Sequence, residues 1–271
     1  MNRFVSVLLG GLIAGSHVLP AFAEQPLPPK PQLIIILDDI GNNHTLGLRA
    51  VNLPAPVTLA FLPFTPFAAR LAERANQQGH GIMLHAPMAN ESGAKLGPGA
   101  LTPDMDRIHL QQTLSDSLEA IPHVQGVNNH MGSLLTQQPE AMSWVMEVLA
   151  EQDLYFVDSL TSPLSVAAEN ASEAGIPTVS RDVFLDNERT EESLNKQFNH
   201  ALSVAKRRGH AVLIGHPYPE TLSYLEQRLP TVELEGVELQ RADDYLLRQQ
   251  WRTPTPELPL VSRYQLLLEP Q

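Results

Sequence analysis

Leu33-Ile34-Ile35-Ile36-Leu37-Asp38-Asp39-Ile40-Gly41 is the stretch whose reading decides the fold. An unbroken apolar run, rich in β-branched residues and closed by two carboxylates and a glycine, predicts a strand buried on both faces. Adjacent aspartates at the exit of such a strand repel each other. Either a cation lies between them, or one is kept as a base, or the pair caps the following turn. Three further apolar runs end in a histidine, at His85, His130 and His216, and this recurrence favours chemistry over capping.

Outward from that strand the chain alternates. Apolar segments at 57–61, 81–84, 126–129, 154–157 and 211–215 read as strands. Between them, helices are predicted from Thr65-Pro66 to Gly79, from a Thr102-Pro103-Asp104 cap to about Ala120, from Pro139 to Glu151, from Pro163 to Ala174, and from a Thr190 cap to Gly209. Residues 86–101, rich in Gly, Pro, Ala and Ser, predict a long loop over the strand ends. Strands too apolar to face water, alternating with helices, imply a parallel sheet or barrel whose ligand sits at the carboxyl ends of the strands. Asp38, Asp39, His85, His130, Asp158 and His216 all fall there. His44, His80, His109, His123, His200 and His210 lack such company and read as surface or helix residues, and Trp144 reads as core. Asp158, Asp182 and Asp186 read as caps or loop hydrogen-bonders, with Asp182 alone kept as a site candidate.

The composition narrows the function classes. A chain of 271 residues with 43% hydrophobic content has ample core for one large α/β domain. Arg3, the apolar stretch Phe4 to Ile13 and Ala21-Phe22-Ala23 have the form of a cleavable signal peptide over residues 1–23. That apolar part is shorter than the ~20 residues of a spanning helix, so an exported, periplasmic protein with no membrane insertion of its mature chain is expected. Pro26, Pro28, Pro29 and Pro31 mark residues 24–32 as an extended linker. Pro254, Pro256 and Pro259 mark residues 251–271 as a tail. With no cysteine, a metal site must use His, Asp or Glu. The formal charge of -12 argues against nucleic acid as a partner.

A carboxylate and two histidines from separate strand ends can form an open zinc site, and a second carboxylate and a further histidine can serve as base and acid in hydrolysing an amide or ester. The motifs Asp38-Asp39-Ile40-Gly41, Asn129-His130-Met131-Gly132-Ser133 and Gly215-His216-Pro217 resemble those of the NodB-type polysaccharide deacetylases, and more closely their divergent branch, from Leu33 to about Leu246. The resemblance implies a distorted (β/α) barrel of the NodB deacetylase type, forming a single domain over 33–250. It also implies removal of an acetyl group from an N-acetylated envelope glycan such as peptidoglycan. Asp38 would be the base, Asp39 and His85 would be ligands of zinc or another divalent metal, and His216 would be the acid.

Two departures stand out. The family's second metal histidine is replaced by Ala89, so His130 is expected to supply the third ligand from the neighbouring strand. The family's arginine is missing, and Arg181-Asp182 are expected to replace it in tuning Asp38. These departures leave open a second reading, a non-catalytic envelope protein that keeps the barrel and binds glycan or a partner protein. Phe61, Phe64, Tyr155 and Tyr218 are the aromatic candidates for a sugar platform.

Overall fold

The computed structural model describes residues 29–246; the expected signal peptide, residues 24–28 of the linker and the 251–271 tail lie outside them. In chain order the elements are β1 (Gln32–Ile40), α1 (His44–Val51), β2 (Thr58–Phe61), α2 (Ala68–Gln77), β3 (Gly81–Met88), α3 (Arg107–Glu119), β4 (Gly126–Met131) and α4 (Pro139–Glu151). They continue with β5 (Tyr155–Asp158), α5 (Ala167–Glu173), β6 (Thr178–Ser180), β7 (Val183–Phe184), α6 (Glu191–Arg208), β8 (His210–Gly215), α7 (Pro219–Arg228) and β9 (Glu238–Gln240).

All strand pairs are parallel, in the order β6-β5-β4-β3-β2-β1-β8-β7, with β9 on the first half of the β1 edge that β2 occupies further along. The sheet curls into a half-barrel in which β6 and β7 do not pair. Arg181 and Asp182 carry the chain across that opening, Arg181 N–H donating to Asp158 O and Asp182 N–H to Val212 O, so backbone of β5 and β8, on either side of it, holds the bridge.

β1 is buried on both faces, as its sequence requires, and its alternation sorts the core. Leu33, Ile35 and Leu37 pack outward against the helices, whereas Ile34 and Ile36 point into the barrel with Ala60, Met83, Tyr155, Val157, Val212 and Ile214. Side chains two residues apart share a face of a strand. Continuing the inner rows by one step places Asp38, His85, Ser159 and His216 at the carboxyl mouth.

Several boundaries differ from expectation. Thr65 does not cap α2; its hydroxyl donates to Leu62 O (2.8 Å) in a turn, and the helix starts at Ala68. Asp106, accepting from His109 N–H (2.9 Å), caps α3 in place of Thr102. α5 begins at Ala167, not Pro163, and β3 runs on through Pro87 to Met88 by pairing with β4. The elements α1, α7 and β9 lie outside the segments expected from the sequence. Thr190 and Gly209 bound α6 as expected.

Candidate metal centre

The strand that opens the chain supplies both carboxylates, which a regular strand would send to opposite faces. Asp39 adopts a left-handed backbone (φ 60°), and the β1–β2 register shifts between Leu37 and Ile40. The twist brings both carboxylates onto one imidazole: Asp38 Oδ1 lies 3.7 Å from His85 Nδ1, and Asp39 Oδ1 lies 3.3 Å from His85 Nε2. Gly41 makes the turn possible, since its φ of 133° suits glycine and a Cβ there would stand 2.0 Å from Thr65 Oγ1.

His130 arrives from β4. In the β3–β4 register His85 sits beside Asn128, and His130 follows on the same face. Asp39 Oδ1, His85 Nε2 and His130 Nδ1 form a triangle with sides of 3.0, 3.1 and 3.3 Å. Atoms bound to a tetrahedral zinc at about 2.0–2.1 Å would lie about 3.3–3.4 Å apart. Asp39 Oδ1 is out of solvent and has no partner of hydrogen-bond geometry, although both imidazoles face it. An orphaned carboxylate oxygen framed by two ring nitrogens fits a divalent cation, and it is these three residues whose ligand atoms lie within 4.8 Å of one another. Ala89 packs in the hydrophobic core, so the third donor comes from the next strand.

The electrostatics follow from burial and proximity. Burial opposes the charge of Asp39, but the imidazoles of His130 and His85 outweigh it and hold the carboxyl well below its usual range. Burial pushes the Asp38 carboxyl up, against the pull of His85, His216 and the Asn128 amide, and the charge of Asp39 adds to the rise. Burial works against protonation of His85, yet the two aspartates prevail and raise it.

His216, next after the Leu37–Gly215 pair that joins β1 to β8, reaches to 3.9 Å from Asp39 Oδ2 through Nε2. Its other nitrogen, Nδ1, is 3.0 Å from Asp186 Oδ1, while Asp186 Oδ2 accepts from His216 N–H (2.7 Å) and Thr221 Oγ1–H (2.9 Å). Burial disfavours the imidazolium, but the carboxylates of Asp186, Asp38 and Asp39 push His216 up to about 9. Gly215 permits this approach, because a Cβ would lie 3.2 Å from Asp186 Oδ2.

Residues 35–246 match the family described as divergent polysaccharide deacetylase. The chain belongs to that family. Among its relatives, the uncharacterized protein YibQ of Escherichia coli (strain K12) is 33% identical over 225 residues, 83% of this chain and 70% of that one. An uncharacterized protein of Haemophilus influenzae is 30% identical over 233 residues, 86% of this chain and 83% of that one. The crystal structure of an uncharacterized protein from Agrobacterium tumefaciens C58 superposes with a TM-score of 0.77 at 24% identity, over 80% of this chain and 90% of that one, which supports the fold.

Within this member of the family the expected cluster of Asp38, Asp39, His85, His130 and His216 comes together; Arg181 and Asp182 make no hydrogen bond to Asp38, although the charge of Asp38 reaches the Arg181 guanidinium on the wall of the same cleft. Arg181 donates to Ser159 O (2.7 Å) and Leu160 O (2.8 Å) on the cleft wall. Asp182 pairs with Arg208 and accepts from Val212 N–H (2.9 Å). Both side chains clamp the barrel's open side. Asn128 hydrogen-bonds Asp38, its Nδ2 donating to Oδ1 at 2.8 Å.

Sequence reasoning passed over Asp186 as a loop residue, since its partner lies thirty positions away and only the β7–β8 contact brings them together. Asp158 bonds Leu160 N–H and Ser165 in its own loop, as a loop hydrogen-bonder should. His80 is not a surface residue: it is 2% exposed, facing Val57 N–H and Val51 O. Trp144 is only partly buried against the core. Of the aromatic candidates, Phe61 is buried in the outer core and Tyr155 lies at the amino end of β5, away from the mouth. Phe64, 51% exposed, and Tyr218, 5.6 Å from the His216 ring, remain.

Proposed function

We propose that this chain is an exported, zinc-dependent hydrolase that removes an acetyl group from an N-acetylated glycan of the cell envelope, peptidoglycan being one candidate. The observation that carries this reading is the triangle of Asp39 Oδ1, His85 Nε2 and His130 Nδ1, flanked by Asp38 and by the His216–Asp186 pair. Family membership supports the glycan substrate. Two clefts, about 470 and 530 Å³, share Asp39 and His130 as a common wall and leave room for a sugar on either side of the triad. Export rests on the form of residues 1–23, and among the described residues no helix is long and apolar enough to cross a membrane.

Asp39, His85 and His130 would hold a divalent ion, which would supply Lewis acidity toward the amide carbonyl and acidify water. Asp38, on the wall of the same cleft, takes the proton of the water that attacks the carbonyl carbon. His216 presents Nε2 to the cleft while Nδ1 is fixed by Asp186, and it delivers a proton to the amine nitrogen as the C–N bond breaks. Acetate and a free amino sugar result. The raised pKa of His216 keeps the acid charged at neutral pH.

Acetate release from N-acetylglucosamine oligomers and peptidoglycan fragments, measured for the zinc-loaded chain and for Asp38→Asn, tests the reading. Release that the substitution abolishes supports it. The second reading, a glycan binder without catalysis, draws on Ala89 in place of a histidine and on Asp38 having no arginine hydrogen-bonded to it among the described residues. No release across the glycan panel, with glycan binding retained, would favour it.

A further inference from the structure

We infer that Asn128 is a positioning residue that couples the metal centre to the proton acceptor through the two ends of one amide. Its metal half stands without the hydrolase reading; its second half rests on that reading, with Asp38 as the base. Asn128 is fully buried at the barrel mouth, in register beside His85. Its Nδ2 donates to Asp38 Oδ1 at 2.8 Å and to Ser159 Oγ at 3.3 Å, and its Oδ1 lies 2.8 Å from His85 Nδ1.

The orientation of the amide follows from its neighbours. A carboxylate oxygen only accepts, so Nδ2 must face Asp38, which leaves Oδ1 facing His85. An amide oxygen only accepts in turn, so His85 must carry a proton on Nδ1. Its Nε2 lone pair is then free to point at Asp39 Oδ1 and His130 Nδ1, where the ion would sit. A hydrogen bond to the distal nitrogen of a ligating histidine fixes tautomer and ring orientation and raises its basicity. The same amide donates to the Asp38 carboxylate and holds it in place. Aspartate at this position lacks the donor, leucine lacks both groups, and serine lacks the reach.

The two halves separate by substitution. Asn128→Asp keeps an acceptor for His85 and removes the donor to Asp38. Zinc affinity, measured by competition with a chromophoric chelator, is expected to stay level or tighten, while kcat for acetate release falls roughly 100-fold at unchanged KM. Asn128→Leu removes both groups, and zinc affinity is expected to fall about 10–100-fold with an altered absorption spectrum of the cobalt-loaded protein. A merely space-filling asparagine would lower the unfolding temperature of both metal-free variants and leave affinity, spectrum and kcat alone, which would overturn the inference.

In the zinc-loaded wild-type chain, imidazole 15N shifts are expected to place the His85 proton on Nδ1. A metal-bound Nδ1 overturns the inference without any variant. Should the wild-type chain hydrolyse no glycan, the proposed activity fails, while the affinity, the cobalt spectrum and the tautomer still decide the role of Asn128 at the metal.

Discussion

Asp39 combines a left-handed backbone, a carboxylate oxygen lacking a hydrogen-bond partner and a pKa held well below the usual range, and the three coincide where two imidazoles converge on the end of a strand. Strain of this kind persists where the surroundings over-determine it, as at binding sites. Asp186 belongs to the same residue-scale logic, because it holds His216 by ring and backbone at once. Asp186→Asn is therefore expected to retain zinc while kcat drops about 10²-fold or more, as expected when a proton donor is misplaced. Equal losses of zinc and kcat would place Asp186 in the metal site instead. His80 gives a prediction about stability. Burial lowers its pKa below the ordinary 6.5, so the unfolded chain takes up the proton first. Its contribution is full above that value and is lost as pH falls through the folded-state pKa. Urea unfolding at pH 7.5 and 5.5 should show a smaller acid loss for His80→Asn than for the wild-type chain; an equal loss would contradict this.

At the scale of elements, the barrel and its mouth were legible because the inner faces of the strands are continuous rows. Ile34, Ile36 and Asp38 share one row, as do Met83 with His85 and Val212, Ile214 and His216, so apolar runs ending in acid or imidazole pointed to one place. Where a boundary depended on pairing between distant segments, the sequence was silent. β3 outruns its apolar run because β4 pairs with it through Pro87, and Arg181-Asp182 bond to β5 and β8 on either side of the barrel's opening. Asp186 and Asn128 act through partners thirty or more positions away, and neither alternation nor capping rules see such distances. The β1 exit turn makes its own prediction. Gly41→Ala would force an L residue to a φ of 133° against Thr65 Oγ1, costing roughly 1–3 kcal/mol of backbone strain, and its urea midpoint should fall accordingly. An unchanged midpoint would show that the turn relaxes and that Asp39 is not held by it.

Across the whole molecule, the triad joins β1, β3 and β4, while His216 on the β8 exit and Asp186 after β7 link it to the other side of the half-barrel. An ion at that junction binds the folded chain and not the unfolded one, so it stabilises by about 2.7 kcal/mol at a free concentration of 100 times its Kd. Zinc should raise the unfolding temperature in a concentration-dependent way, and a chelator should reverse the rise; indifference to both would separate the ion from the fold. The central claim is that one divalent ion sits between Asp39, His85 and His130. Elemental analysis of the purified chain, beside His130→Ala, tests it most directly. The account predicts one zinc or similar ion per wild-type chain and its loss from the variant; no stoichiometric ion in the zinc-supplemented wild-type chain, or undiminished metal in His130→Ala, would contradict it.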